Sequence, residues 1–115
     1  MHELSVALSI VAGAEEEVSR QGGGRVHTVH LRLGPLSGVV KDALLFSYGL
    51  ACEGTPLEGS SLVIEEVPLV IYCPGCRAET SPVSLQNLEC VQCGSPADRI
   101  TQGNELEVAA LELET

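Results

Sequence analysis

Two pairs of cysteines place the strongest constraint on this chain. Cys73 and Cys76 form one C-x2-C pair, and Cys90 and Cys93 form a second pair after thirteen intervening residues. Each pair can turn two thiolates toward one cation, and the intervening residues can bring the second pair to its far side. Four thiolates make a closed tetrahedral shell, which is typical of structural zinc. Iron in the same shell, a redox dithiol and disulfides are the alternatives.

Charge and hydropathy narrow the class of protein. Lys and Arg total 6 against 16 Asp and Glu in 115 residues, so the net charge is −10. This balance argues against nucleic acid as the main partner, because phosphate neutralisation needs clustered Lys and Arg. No apolar run reaches the roughly 20 residues of a membrane span. The stretch from Leu4 to Ala14 lacks the basic flank of a signal peptide, so we expect a soluble, cytoplasmic protein without membrane insertion.

Hydrophobic periodicity predicts two helices and three strands. The first helix carries an apolar stripe that ends at "QGGGR" and consists of Leu4, Leu8, Val11 and Val18, reinforced by Ala7 and Ala14. "VHTVHLRL" alternates as a half-buried strand, and Ser37 is a predicted N-cap for a second helix through about Cys52. "LVIEEVPLVIY", interrupted at Pro68, and "NELEVAALELE" predict the second and third strands.

The predicted fold class is therefore α/β (α+β), with two helices on a small mixed three-stranded sheet. The cysteine segment interrupts this unit as a zinc-ribbon-like subdomain, because it lies between the second and third strands. We predict an α/β domain at 1–72 plus 101–115 and a zinc-binding subdomain at 73–100, inserted between strands.

Other candidates for chemistry are weak. The chain has no P-loop, no dinucleotide fingerprint and no nucleophile elbow, which favours a protein that is not an enzyme. His27 and His30 are three apart on a strand, so they face opposite sides and cannot hold one ion from regular geometry. Cys52 at a helix end is interpreted as a small buried hydrophobe.

The opening residues "MHE" allow two interpretations. The α-amine of Met1, the next amide nitrogen and the imidazole of His2 could close two fused chelate rings around one ion. Such planar nitrogen donors suit Ni(II) or Cu(II) better than zinc. Glu3 could add its amide nitrogen or its carboxylate. Alternatively, His2 and Glu3 only begin the first helix, where an acidic residue is favourable.

The whole pattern resembles the HypA/HybF family of hydrogenase nickel-incorporation proteins. The resemblance rests on "MHEL" at the N-terminus, "LRLGPLSGVV", "CEGTPLEGSSLVIEEVP", the two C-x2-C pairs and "GNELEVAALELE", and it covers essentially the full chain. It implies a small nickel metallochaperone with a nickel-binding α/β domain and a separate zinc-binding domain.

The resemblance also implies roles for particular residues and partners. Nickel, as transient cargo, is bound by His2 with the Met1 amine and Glu3, and structural zinc is bound by the four cysteines of the two pairs. The implied partners are the GTPase HypB and the large subunit of [NiFe]-hydrogenase, and some family members serve urease. The competing hypothesis is a zinc-ribbon protein-interaction adaptor in which "MHE" is inert.

Overall fold

The computed structural model describes residues 2–114 and contains two helices and six strands within that range. In chain order the elements are α1 (Glu3–Arg20), β1 (Val26–Leu33), α2 (Lys41–Cys52), β2 (Ser61–Glu66), β3 (Val70–Cys73), β4 (Ala78–Thr80), β5 (Arg99–Gln102) and β6 (Leu106–Leu113). One sheet has the strand order β2-β1-β6, and a second has the order β4-β3-β5. The predicted fold class, two helices with a mixed three-stranded sheet and an inserted four-cysteine segment, is confirmed.

The chain divides into two compact units. The second unit consists of Arg32–Gly38 and Glu66–Leu106, and the first consists of the remaining described residues. The first unit holds both helices and the main hydrophobic core, and the second holds the four cysteines of the two C-x2-C pairs and the sheet β4-β3-β5. The second unit includes residues 32–38, 66–72 and 101–106, which the sequence-based boundaries assign to the α/β domain; those boundaries stay a prediction.

Helix α1 buries most of the predicted stripe, but not its first two leucines. Leu4 and Leu8 are 46% and 52% exposed, so the prediction that they face the core is wrong. The buried face contains Glu3, Ala7, Ile10, Val11, Ala14 and Val18. The two valines and two alanines of this face were predicted, whereas Glu3 and Ile10 were not. The alanines allow neighbouring elements to approach α1 closely. The helix ends as predicted: the N–H of Gly23 donates to the carbonyl of Val18 at 2.8 Å, and Gly22 has φ of 102°.

Helix α2 begins later than predicted. Its N-cap is Val40, which is extended (φ −87°, ψ 120°) and provides no side-chain cap, so the assignment of Ser37 as the N-cap is wrong. Gly38, with φ of 80°, follows Ser37 and prevents a helix from starting there. Leu44 and Tyr48 face the core, whereas Val40 is 61% exposed.

The predicted second strand is two strands. β2 ends at Glu66 and β3 begins at Val70, and the two belong to different sheets. Pro68 lies in the break, where it has no N–H to donate to a ladder. Val67 still donates its N–H to the carbonyl of Leu33 at 2.9 Å. The end of β3 places Cys73 at the start of the cysteine-containing turn.

Candidate metal centre

The four cysteines of the two C-x2-C pairs form one cluster. Their sulfur atoms all lie within 4.8 Å of one another, and among residues 2–114 no other group of three or more His, Cys, Asp or Glu side chains is placed to share an ion. Sγ of Cys73 lies 3.4 Å from Sγ of Cys93, and Sγ of Cys76 lies 3.9 Å from Sγ of Cys90. A disulfide would need about 2.0 Å, so these are free thiols.

Two turns bring the sulfurs together. Cys73 pairs with Ala78 across β3 and β4, which leaves Cys76 inside the connecting turn. Arg77 closes that turn with φ of 54°, and Gly94 closes the second turn with φ of 78°. A Cβ at Gly75 would lie 2.9 Å from Oγ of Ser95 and 3.4 Å from Sγ of Cys93, so a larger residue there would force the Ser95 side chain to move.

Backbone amides face the sulfurs. The N–H of Cys76 donates to Sγ of Cys73 at 3.3 Å, and the N–H of Gln92 donates to Sγ of Cys90 at 3.4 Å. Such outer contacts stabilise thiolates and orient them as ligands. Cys73 and Cys90 are buried, whereas Cys76 and Cys93 are exposed.

The metal-free thiols differ in acidity. The hydroxyl of Ser95, 3.3 Å from Sγ of Cys93, and the Ser95 backbone N–H lower the pKa of Cys93 to about 6. The neighbouring sulfur of Cys93, followed by those of Cys73 and Cys90, raises the pKa of Cys76 to about 12. The cluster therefore releases some protons readily but resists becoming fully anionic on its own.

A divalent cation fits this donor set. With metal–sulfur bonds of about 2.3 Å, as in zinc sites, the sulfurs of a tetrahedron are about 3.8 Å apart, close to the separations found here. The positive charge of the cation would also offset the repulsion between neighbouring thiolates. The cluster can thus hold a metal such as zinc in a shell of four thiolates.

The predicted nickel residues lie at the start of α1. Met1 lies outside the described residues. His2 is the exposed N-cap of α1, and its side chain makes no capping hydrogen bond. Its carbonyl accepts the N–H of Val6 at 2.9 Å, so the helix begins immediately after it.

Glu3 points inward, which sequence reasoning missed. Its side chain is 3% exposed, and Oε2 accepts a hydrogen bond from the N–H of Val40 at 3.0 Å. This N–H has the largest effect in lowering the pKa of Glu3; burial opposes it, and the nearby N–H groups of Glu3 and His2 lower the pKa further. Oε1 is buried without a hydrogen-bond partner in the described structure. The helical spacing of Glu3 from Ala7 and Ile10 was the sequence signal that could have indicated a buried side chain.

The remaining candidates do not converge. His27 is exposed and contacts Thr28, with 2.7 Å between Nδ1 and Oγ1, whereas the ring of His30 contacts the carboxylate of Glu112. The two histidines therefore have separate partners. Cys52 is buried in the core of the first unit, as predicted.

Known proteins resemble this chain over nearly its full length. A family model described as hydrogenase/urease nickel incorporation, metallochaperone, HypA matches residues 1–113. The chain is 53% identical over 114 residues to a hydrogenase maturation factor HypA of Roseiflexus, covering 99% of this chain and 93% of that protein. It is 49% identical over 112 residues to the HypA of Chloroflexus aurantiacus, covering 97% and 98%.

Solved structures show the same fold. The solution structure of the Ni metallochaperone HypA from Helicobacter pylori matches with a TM-score of 0.67 and 27% identity, covering 98% of this chain and 97% of that one. A second solution structure of a HypA protein matches with a TM-score of 0.73 and 27% identity, covering 99% and 97%. None of the helices within residues 2–114 is long and apolar enough to cross a membrane. The chain belongs to the HypA family of hydrogenase and urease nickel-incorporation metallochaperones.

Proposed function

We propose that this chain is a nickel carrier without catalytic activity, which binds Ni(II) at its N-terminus and delivers it during maturation of [NiFe]-hydrogenase. Family membership supports this proposal, because the relatives are hydrogenase maturation factors. One structural observation carries it further. His2 is an exposed N-cap whose side chain is not used for capping, so its imidazole is available to a ligand.

The backbone at this helix start also favours metal binding. The N–H groups of an N-cap and of the first helical residues have no partner inside the helix. The amide nitrogens of His2 and Glu3 occupy these positions, because α1 begins at Glu3. Nickel can therefore replace their protons without breaking a helical hydrogen bond. Amine, amide and imidazole nitrogens form the tetragonal set that Ni(II) accepts.

Glu3 supports the site through its backbone in this proposal. Its carboxylate already accepts the N–H of Val40 and is buried, while its amide nitrogen adjoins that of His2. We assign the nickel donors to the Met1 amine, the amide nitrogens of His2 and Glu3, and the His2 imidazole. The Glu3 carboxylate holds the start of α1 in position.

Zinc at Cys73, Cys76, Cys90 and Cys93 has a structural role in this proposal. Four thiolates leave no open coordination position for a substrate, and the short second unit has little core of its own. The thiols remain available to zinc in a reducing cytoplasm, where we place the protein.

The proposed partners follow from the family. The chain receives or hands over nickel in contact with the GTPase HypB, and its final acceptor is the large subunit of [NiFe]-hydrogenase, with urease as a further acceptor. A net charge of −10 suits transient contact with basic surfaces on these proteins. Nucleic acid is not a partner in this proposal.

Nickel titration of three proteins tests the N-terminal site. The protein with a free N-terminus is compared with His2→Ala and with a protein that keeps a short N-terminal extension. Both changes remove one donor, so both should weaken nickel binding by at least about a hundredfold, as losing a chelate donor would. His27→Ala is the matched control, because His27 is exposed and lies on β1. Zinc content should stay at about one equivalent in all four proteins, the occupancy of one structural site.

The competing function is a zinc-ribbon interaction adaptor. In that case the opening residues only begin a helix, and nickel affinity would be equal in the free, extended and His2→Ala proteins. Calorimetry with the cognate GTPase tests the partner separately. An absence of binding at both low and physiological salt would contradict the proposed delivery route.

A further inference from the structure

Strand β6 forms an uncovered edge of the first sheet. The order β2-β1-β6 places it at one side, and within residues 2–114 no strand pairs with its outer edge. It is eight residues long, and all of its residues except Leu111 are exposed. Val108, for example, is 43% exposed. An edge of this length offers a row of N–H and C=O groups to an added strand.

A groove runs beside this edge. Its volume is about 640 Å³, and it is formed by one face of α1 and by residues 108–111 and 113 of β6. On the helix, Ser9, Ile10, Gly13 and Ala14 line it. A Cβ added to Gly13 would have no atom within 4 Å, so the groove is open at this point. The small and apolar residues among those that line it, Ile10, Gly13 and Ala14, can accept short aliphatic side chains.

The surroundings of the groove are acidic. Glu17 lines it and ends the run Glu15–Glu17, while β6 carries Glu107 and Glu112, the latter in contact with His30, and no Lys or Arg. Arg20 is already paired with Glu17 at 3.2 Å. A second copy of this chain would bring the same carboxylates and a further −10 charge to the contact. The charge therefore favours a basic occupant over self-association.

We propose that β6 and the adjoining groove bind an extended basic segment of another protein. The segment adds as a fourth strand beside β6, so that main-chain hydrogen bonds supply affinity. Its alternate side chains provide selectivity, with small aliphatic groups in the groove and Lys or Arg beside the carboxylates. This inference rests on the first sheet and α1 and does not depend on nickel binding.

Synthetic peptides test the chemistry of the occupant. The probe is an acetylated peptide of alternating Lys and Val, titrated into zinc-loaded protein while backbone amide signals are followed by NMR. We expect saturable shifts at β6 and at Ser9–Ala14. A peptide with Glu in place of Lys, and a Lys peptide with Pro in place of alternate Val, should bind at least about tenfold more weakly. Equal binding of the Pro peptide would mean simple charge attraction and would overturn the proposal, as would no binding of the Lys-Val peptide.

Two glycine substitutions test where on the protein the peptide binds. Gly13→Leu fills the groove, and Gly49→Leu makes the same change on an exposed part of α2 where a Cβ also meets no atom within 4 Å. Both replace a helical glycine, so both should keep or raise the melting temperature. Gly13→Leu should weaken peptide binding by at least about tenfold, because the groove no longer accepts an aliphatic group. Gly49→Leu should leave it unchanged.

Equal binding in the two variants would place the peptide elsewhere and overturn the assignment. Sedimentation equilibrium of the protein without peptide tests whether a second copy of the chain occupies the groove instead. Self-association that Gly13→Leu abolishes would show that the groove binds a second copy rather than a basic segment.

Discussion

Glu3 and Val40 join the starts of the two helices. The N–H of Val40 donates to Oε2 of Glu3 at 3.0 Å across 37 positions of sequence. Val40 is the N-cap of α2, so the buried carboxylate also lies at the positive end of that helix. The residue beside His2 is thereby attached to the fold, which limits the conformations of the opening backbone.

Glu3→Gln should keep nickel binding almost intact. The amide side chain retains an oxygen that can accept the Val40 N–H, and the backbone nitrogen of residue 3 is unchanged. We expect the nickel dissociation constant to rise by less than about tenfold. Glu3→Ala should instead lower the melting temperature, because Val40 loses its acceptor. Loss of nickel binding in a normally folded Glu3→Gln protein would show that the carboxylate itself is a ligand.

Cys90→Ser should remove the metal from the second unit. Cys90 is buried and its sulfur belongs to the cluster, so serine leaves three thiolates and a weak fourth donor. We expect loss of zinc and of ordered NMR signals for 73–93, while the first unit keeps its signals. Cys52→Ala is the control, because Cys52 lies in the other unit and should leave zinc content unchanged. Full zinc occupancy in Cys90→Ser would contradict a four-thiolate site.

Arg77 and Gly94 should respond oppositely to substitution. Both have positive φ, 54° and 78°, in a conformation that costs an L-residue roughly 1–2 kcal/mol. Gly94→Ala should destabilise the zinc-loaded unit by about 1 kcal/mol. Arg77→Gly removes strain but gains freedom in the unfolded chain, so it should stabilise by about 0.5 kcal/mol. Thermal unfolding at saturating zinc measures both, and a lower melting temperature for Arg77→Gly would refute the strain argument.

Tyr48 should make the first unit sensitive to alkali. Burial raises the pKa of its hydroxyl, which lies 2.7 Å from Oγ of Ser60. Tyrosine in the unfolded chain ionises near pH 10, whereas buried Tyr48 stays neutral, so unfolding is favoured above about pH 10. The contribution is up to about 1.4 kcal/mol per pH unit. Tyr48→Phe should reduce this slope in denaturant titrations at pH 9 to 11. An equal loss of stability with rising pH in the unchanged and the Tyr48→Phe proteins would exclude Tyr48 as the cause.

The sequence predicted where the helices and strands lie better than which of their faces are buried. In α1, apolar residues occupy two overlapping helical stripes, and period alone cannot decide between them. The large Leu4 and Leu8 stay exposed, while smaller residues such as Ala7 and Ala14 are buried. Packing between α1 and its neighbours decides the choice, and that information is not local.

The start of α2 depends on a residue distant in sequence, whereas the cysteine cluster is built from turns that neighbouring residues specify. The cap of α2 comes from Glu3, far away in sequence, so a search for a nearby Ser could not find it. The cysteine pairs carry their own geometry, because each C-x2-C turn is local and only two turns must meet. Ser95, which acidifies Cys93, could have been noticed from its position two residues later.

The uncovered edge of β6 has a consequence for solubility. At neutral pH the net charge of −10 opposes edge-to-edge pairing between copies, because like charges keep the molecules apart. That protection depends on ionisation, and the isoelectric point is about 4.5. As the pH approaches this value, the repulsion between molecules disappears while the hydrogen-bonding edge remains. At mildly acidic pH, therefore, β6 strands of different molecules can pair with one another, and the protein should aggregate.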